Sequence, residues 1–397
     1  MLGAIYTGLS GLNAFSRGLQ TISNNVANLN TPGFKASSTS FSDVFSYGGG
    51  GQTFFKNGND AKIGNGVRFG DVRIDFGQGD LRQSDGDLDL SIQGRGFLTL
   101  INNGKTFFAR TGQFVVDKDG YISLQSNSEY RLATLDGAGR ASAVNLDARR
   151  TSAPQATTTI KFSDNLSSSA TTSTVADLAI YDSRGGKQTW QAKFDKNAAA
   201  PGQWNVTVTD QAGATIGTTV LKFIGSTVDP ATAKLSISAT PADADPLTVT
   251  LDFSAGVTSF SAGSTSTLRA ASVDGSGVGA LSAVKVDSEG KIALTFSNGK
   301  TDTLDSVAIA DFRDPQQLKR ISGGLFLNDG NGPVRLSASG VDGVGRLLSK
   351  QLEASNTDLS QQFGELILIQ RGFQASSQVV SASNDMIQQL FGIRGQG

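Results

Sequence analysis

The residues call for a mainly β protein with terminal α-helices: an N- and a C-terminal helix forming a coiled-coil-like inner domain, with two nested β-domains, discontinuous in sequence, outside it. Helical spacing of apolar residues at both ends points to this, as do short alternating runs in the middle and the Gly, Ser, Thr, Asn and Asp residues that punctuate them. A chain of 397 residues with 38% hydrophobic content is long enough to bury several cores.

Along 2–29, Leu2, Ile5, Leu9, Leu12, Leu19, Val26 and Leu29 recur at steps of three and four or their sums, with Phe15 and Ile22 on adjoining positions. Such spacing draws one apolar stripe along a helix. The stop is Asn30-Thr31-Pro32-Gly33, since Pro32 disfavours helical geometry at Thr31 and Gly33 tolerates a left-handed turn. Residues 1–33 are therefore the first helical segment. Residues 34–75 are Ser/Gly-rich, with Gly48-Gly49-Gly50-Gly51 as a flexible spot, and predict an extended connector with little regular structure.

Residues 76–147 and 280–357 predict a β-rich middle domain. Leu88, Leu90 and Ile92 alternate, and Phe97-Leu98-Thr99-Leu100-Ile101, Phe107-Phe108 and Phe114-Val115-Val116 follow. Asn102-Asn103-Gly104 and Asp117-Lys118-Asp119-Gly120 are hairpin turns between them. Residues 148–279 carry a second β pattern, with Ala179-Ile180-Tyr181, Trp190, Phe194 and Trp204-Asn205-Val206-Thr207-Val208, and predict a domain inserted into the first. Strands resume at Val284-Lys285-Val286 and Ile292-Ala293-Leu294-Thr295-Phe296, which are expected to complete the sheet begun at Phe76.

Residues 358–397 form the second helical segment. Leu359, Phe363, Leu366, Phe373, Val380, Ile387 and Phe391 lie on a heptad-like seam, after an N-cap cluster at Asn356-Thr357-Asp358. Gly364, Gly372 and Gly392 weaken intrinsic helicity, so packing must hold this helix. Nothing adjacent in sequence covers either stripe. Folding of the ends is thus expected to depend on pairing with each other and with further copies: disordered termini in the monomer, coaxial paired helices in a polymer. Contacts between different surfaces of successive copies generate an open helix.

Composition argues against other classes. Charged residues are 17% of the chain, the formal net charge is −1 and no basic run exists, so no nucleic acid partner is expected. With no Cys and no His, the commonest metal ligands and the commonest general base are missing, and no enzyme, cofactor or metal is expected. Asp85, Asp87 and Asp89 have calcium-loop spacing, but Leu90 stands where Gly is needed and Gly96 where a bidentate Glu belongs. Gly275-Ser276-Gly277-Val278-Gly279 lacks the Lys-Ser/Thr of a phosphate loop and reads as a linker. No membrane is expected either: no stretch approaches a spanning length, no cleaved signal peptide is apparent, and the helices' polar faces are Ser, Asn and Gln rather than Lys.

Leu9-Ser10-Gly11-Leu12 and Ile22-Ser23-Asn24-Asn25-Val26-Ala27-Asn28-Leu29-Asn30-Thr31-Pro32-Gly33-Phe34-Lys35 closely resemble the amino-terminal signature of the bacterial flagellar rod and hook proteins. At the end Leu352-Glu353-Ala354-Ser355-Asn356-Thr357-Asp358-Leu359 and Gln370-Arg371-Gly372-Phe373-Gln374-Ala375 resemble the carboxy-terminal signature of the same family, with Thr357 where it usually has Val. Asp87-Leu88-Asp89-Leu90-Ser91-Ile92-Gln93-Gly94-Arg95-Gly96-Phe97 is similar to both distal rod and hook types. Ile180-Tyr181-Asp182-Ser183-Arg184-Gly185-Gly186, Phe296-Ser297-Asn298-Gly299 and 307–315 resemble the hook type only. The resemblance implies a subunit polymerising into a curved tube, a universal joint that passes torque from motor and rod to filament. It also implies an extracellular place in the flagellum after export without a cleaved signal peptide. Implied partners are further copies of itself, the distal rod protein, the hook-filament junction protein, the hook cap protein and the flagellar export apparatus. The alternatives are a distal rod subunit and a β-domain hydrolase or binding module with helical ends. The inserted domain separates the hook reading from the rod reading; growth into tubes separates both from the third.

Overall fold

The structure, a computed structural model, describes residues 2–44, 66–240, 245–330 and 332–394. Helix α1 spans Leu2–Ala27 and helix α2 spans Leu359–Arg394. The first ends as its residues require. Asn28 Nδ2 donates to Asn24 O at 2.9 Å, Thr31 Oγ1 donates to Asn28 Oδ1 at 3.1 Å, and Gly33 turns the chain with φ +70°. A β-carbon on Gly33 would lie 2.9 Å from Thr111 Cγ2, so both backbone and space demand glycine there. The second helix is capped by Asp358, whose Oδ1 accepts from Ser360 N at 2.7 Å and Gln361 N at 3.1 Å.

The chain divides into two compact units, 1–146 with 285–292 and 304–397, and 147–284 with 293–303. The helices, expected from sequence as a domain of their own, cluster with the β-rich part in the first unit. Buried polar side chains at the helix ends tie them there.

The stretch 34–75, expected to be an irregular connector, holds paired strands: Ser37–Asp43 runs antiparallel to Val67–Ile74, with Ser37 opposite Ile74 and Asp43 opposite Val67. Its Ser/Gly composition hides a small aromatic anchor. Phe41 lies 5.4 Å from Phe15 of α1 and 6.2 Å from Phe69 across the hairpin, ring centre to ring centre. The Gly48 to Gly51 run falls outside the described residues.

In the first unit, neighbouring strands of the main sheet are Leu318–Arg320, Leu325–Asn328, Lys105–Ala109, Phe97–Asn102, Asn127–Leu135, Ile122–Leu124, Thr111–Val116, Asp89–Gln93 and Arg346–Ser349. Ile309–Phe312 joins it at Phe97–Asn102. The Asn103-Gly104 turn has φ +47° and +75°, the two left-handed positions of a type I′ hairpin, and pairs Asn102 with Lys105. The core under this sheet is aromatic: Phe97, Phe108, Phe312 and Phe326 are buried, with Phe108 edge-on to Phe312 at 4.8 Å.

The second unit is built on Thr172–Tyr181, Lys187–Lys196, Gln203–Thr209 and Thr215–Ile224, an antiparallel meander, continued by short strands to Thr159–Asn165, Leu247–Asp252 and Lys234–Ala239. Trp204, Val206 and Val208 point inward at alternate positions, as period-two spacing requires. With Trp190, Phe194 and the stacked pair Phe162–Phe253, centroids 4.6 Å apart, they make its core.

Gly279–Val286, Lys291–Phe296 and Thr301–Ser306 do not complete the main sheet. They form a separate sheet with Thr151–Ser152, because short turns such as 287–290 and 297–299 pair each strand with its sequence neighbour. The chain passes between the units within these strands.

Candidate assembly surface

The two helices pack antiparallel through small residues. A β-carbon on Gly8 would lie 2.6 Å from Val380 Cγ2, one on Gly11 2.6 Å from Ser376 Oγ, and one on Gly18 2.8 Å from Ile369 Cδ1. From the other side, a β-carbon on Gly372 would lie 2.5 Å from the Phe15 ring. Ala14 on α1, and Gln362, Ile369 and Ser383 on α2, are buried along the same line. Val380, Ile369 and Phe15 thus seat over glycines of the facing helix, which lets the two backbones approach closely.

Much of the large apolar surface is consequently turned away from the seam. On α2, Leu359, Phe363, Phe373 and Phe391 are exposed, Phe391 to 70%, while Leu366, Val380 and Ile387 are half-buried. Ile367, Leu368, Val379, Met386 and Leu390 are exposed too, interspersed with Ser, Gln and Asn on the surface that α1 leaves free. On α1, Ile22 is buried, Ile5, Leu12, Val26 and Leu29 are half-buried, and Leu9 and Leu19 are exposed, as is Tyr6 at 71%. The Leu2 side chain lies outside the described residues. Exposed apolar surface of this extent marks an interaction site. The sequence seam thus splits, part facing the partner helix and part facing out. Gly8, Gly11, Gly18, Ile369 and Ser376, which build the contact between the helices, did not stand out, although small residues three and four apart on α1 were a readable signal.

Where the helices meet the β-rich part, the motif residues gather. Asn25 is fully buried: its Nδ2 donates to Ser37 O at 2.8 Å and to Gln362 Oε1 at 2.9 Å, and its Oδ1 accepts from Ser37 N at 2.9 Å. Phe34 is buried beneath the Arg320 guanidinium, which stands 4.7 Å from the ring centre. Asn28 and Thr31 are half-buried in the turn, while Asn24, Ala27 and Pro32 are exposed.

Next to them lies an ionic cluster that sequence reasoning did not single out. Lys35 Nζ meets Glu353 Oε1 at 2.5 Å and Arg110 Nε meets Glu353 Oε2 at 3.1 Å, with the Lys35 and Glu353 side chains fully buried and that of Arg110 nearly so. Burial pulls the Lys35 ammonium below the ordinary lysine value, and the Glu353 carboxylate opposes that pull. Both residues stand in the terminal motifs, but only the fold brings positions more than three hundred residues apart together. Two of the three aspartates with calcium-loop spacing do other work: Asp87 pairs with Lys350 at 3.0 Å, and buried Asp89 accepts from the Ser84 hydroxyl. Among the described residues, no group of three or more acidic side chains is arranged to hold a metal, and no helix is long and apolar enough to cross a membrane.

Three separate stretches of the chain match families of bacterial flagellar basal body proteins. Residues 5–35 match the flagella basal body rod protein family, 348–393 the flagellar basal body rod FlgEFG protein C-terminal family, and 145–276 the flagellar basal body protein FlaE D2 domain. The chain is 28% identical to the flagellar hook protein FlgE of Brucella suis over 99% of both chains. It is 28% identical to that of Treponema pallidum over 99% of this chain and 100% of the relative, and 26% identical to that of Escherichia coli over 97% and 98%. The chain belongs to the flagellar hook protein family. A crystal structure of the Helicobacter pylori flagellar hook protein FlgE2 overlaps it with a TM-score of 0.46 at 14% identity, covering 69% of this chain and 100% of that one.

Proposed function

We propose that this chain is the subunit of the flagellar hook and polymerises into the tube that joins rod to filament. The observation that carries the reading is the exposed apolar surface of a terminal helix pair, in a chain that aligns from end to end with hook proteins. The residues that seal it between copies are Leu9 and Leu19 of α1 and Leu359, Phe363, Phe373 and Phe391 of α2, which stay exposed among the described residues. Residues 1–33 and 358–397 make the inner layer of the tube, and 148–279 is the inserted domain that a distal rod subunit lacks. The role is structural, without catalysis.

Close backbone packing along the axis resists twist, while polar Gly, Ser, Thr and Asn surfaces of neighbouring β-domains slide at little cost, which gives a joint stiff in torsion and soft in bending. The partners are the distal rod protein at one end, the hook-filament junction protein at the other, the hook cap protein during growth, and the flagellar export apparatus that secretes the chain. The test is electron microscopy of purified protein taken above its polymerisation threshold. Curved tubes are expected; a monodisperse monomer at every concentration overturns the reading.

A further inference from the structure

We propose that the helix pair is keyed to the β-rich part of its unit by a buried polar lock, Asn25–Gln362 together with Lys35–Glu353–Arg110, whose task is orientation rather than stability. The lock sets the register of the two helices and the direction in which they leave the sheet, so that torque reaches the helices through it. This rests on the hook reading above.

The seam alone does not fix how the pair leaves the main sheet. Val380, Ile369 and Phe15 seat over Gly8, Gly18 and Gly372 and hold the helices side by side, but these contacts do not reach that sheet. Directional bonds must do it. Asn25 reads one position on α2, Gln362, and one backbone position on the hairpin, Ser37, in a single fully buried side chain. A buried polar pair of this kind specifies register in helical assemblies.

Glu353 does the same for direction. Its Oε1 accepts from Lys35 Nζ at 2.5 Å and Gly79 N at 2.9 Å, its Oε2 from Arg110 Nε at 3.1 Å, and its backbone oxygen from Gly33 N at 2.7 Å. One residue thereby holds the exit of α1, the entry to α2 and the sheet. The cluster carries two cations and one anion, and the surplus positive charge is met by carbonyls: Arg110 donates to Gly94 O at 2.7 Å, to Ile92 O at 3.2 Å and to Gly96 O, and Lys35 donates to Gly77 O at 2.7 Å. A buried ion cluster adds little net stability compared with apolar residues of the same volume, but it fixes geometry. Asn356 strengthens the arrangement, accepting from Ala36 N at 2.7 Å and donating to Asp75 O at 2.8 Å.

The test compares tubes of full-length wild type with those of a Lys35→Met, Arg110→Met, Glu353→Leu triple variant and an Asn25→Leu, Gln362→Leu double variant. Thermal unfolding of each variant is expected within a few degrees of wild type, and both still polymerise. By cryo-microscopy the helical twist or curvature of their tubes changes, and the torsional compliance of tethered tubes rises at least twofold. Wild-type twist, curvature and compliance in both variants overturn the lock. Should either fail to fold, Glu353→Gln, which keeps shape and removes charge, is expected to move the same readouts less far; no movement overturns the lock.

Since the chain has no Cys, spin labels at Ser126→Cys and Ser381→Cys read the lock directly. The distance distribution is expected to broaden in the triple variant, in tubes or, if none form, in monomer; equal widths overturn it. Failure of wild type to form tubes overturns the hook reading instead.

Discussion

Glu353 is the residue on which most depends. Glu353→Ala leaves Lys35 and Arg110 buried without their counter-charge, and a cost of about 3–5 kcal/mol is expected in urea unfolding followed by far-ultraviolet circular dichroism. Gly8 tests the opposite error, too much volume. Its missing β-carbon would already lie 2.6 Å from Val380, so Gly8→Val is expected to cost about 1–3 kcal/mol of helix pairing, read as a rise of about tenfold in the concentration needed for tube growth.

Asp274 tests acid stability. Partial burial works against its charge, yet hydrogen bonds from Thr158 Oγ1 at 2.6 Å, Thr158 N at 2.9 Å and Thr159 N at 3.0 Å outweigh burial and hold its pKa below 3.8. Because the folded value lies below the unfolded one, its stabilisation is present above pH 3.8 and is lost as pH falls through the depressed value. Asp274→Asn is expected to flatten the acid limb of a stability profile, and an unchanged limb would count against this account. None of these three roles could be read from sequence. Glu353 and Asp274 act through partners brought by folding, and Gly8 acts by what would collide with it.

Elements were easier to read than their contacts. The ends of α1 and α2 are written in Pro32, Gly33 and Asp358, and the Asn103-Gly104 hairpin in its own dipeptide, because caps and tight turns are local chemistry. The 37–43 and 67–74 hairpin was not visible, since its stability comes from Phe15 and Phe69 around Phe41 rather than from its Ser-rich sequence. Likewise the helical stripe of α2 is real, but which part meets α1 depends on the small residues opposite. Phe363→Ser with Phe373→Ser therefore removes surface that faces away from α1. It is expected to abolish tube growth, measured by sedimentation, while leaving thermal unfolding of the β-rich parts unchanged.

At the scale of the molecule, the sequence showed a β-domain within a chain whose ends are helical, but the traffic of the chain between units at 279–306 depends on local hairpins that composition does not distinguish. Both tryptophans, Trp190 and Trp204, are fully buried in the second unit, so tryptophan fluorescence, excited beyond the tyrosine absorption band, reports that unit alone. Glu353→Ala, in the first unit, is expected to leave the fluorescence transition in place while it displaces the helical signal; a common shift would show that the two units unfold as one.

The antiparallel course of α1 and α2, with Gly8 beside Val380 and Asn25 beside Gln362, brings the beginning of the first helix alongside the end of the second. Labels near this meeting of helix ends compete with the exposed apolar surface that sister molecules cover in the proposed polymer. A fluorescent or affinity label is better carried by the 210–214 turn, where Gly213 has open space around it and the helices are left bare for their neighbours.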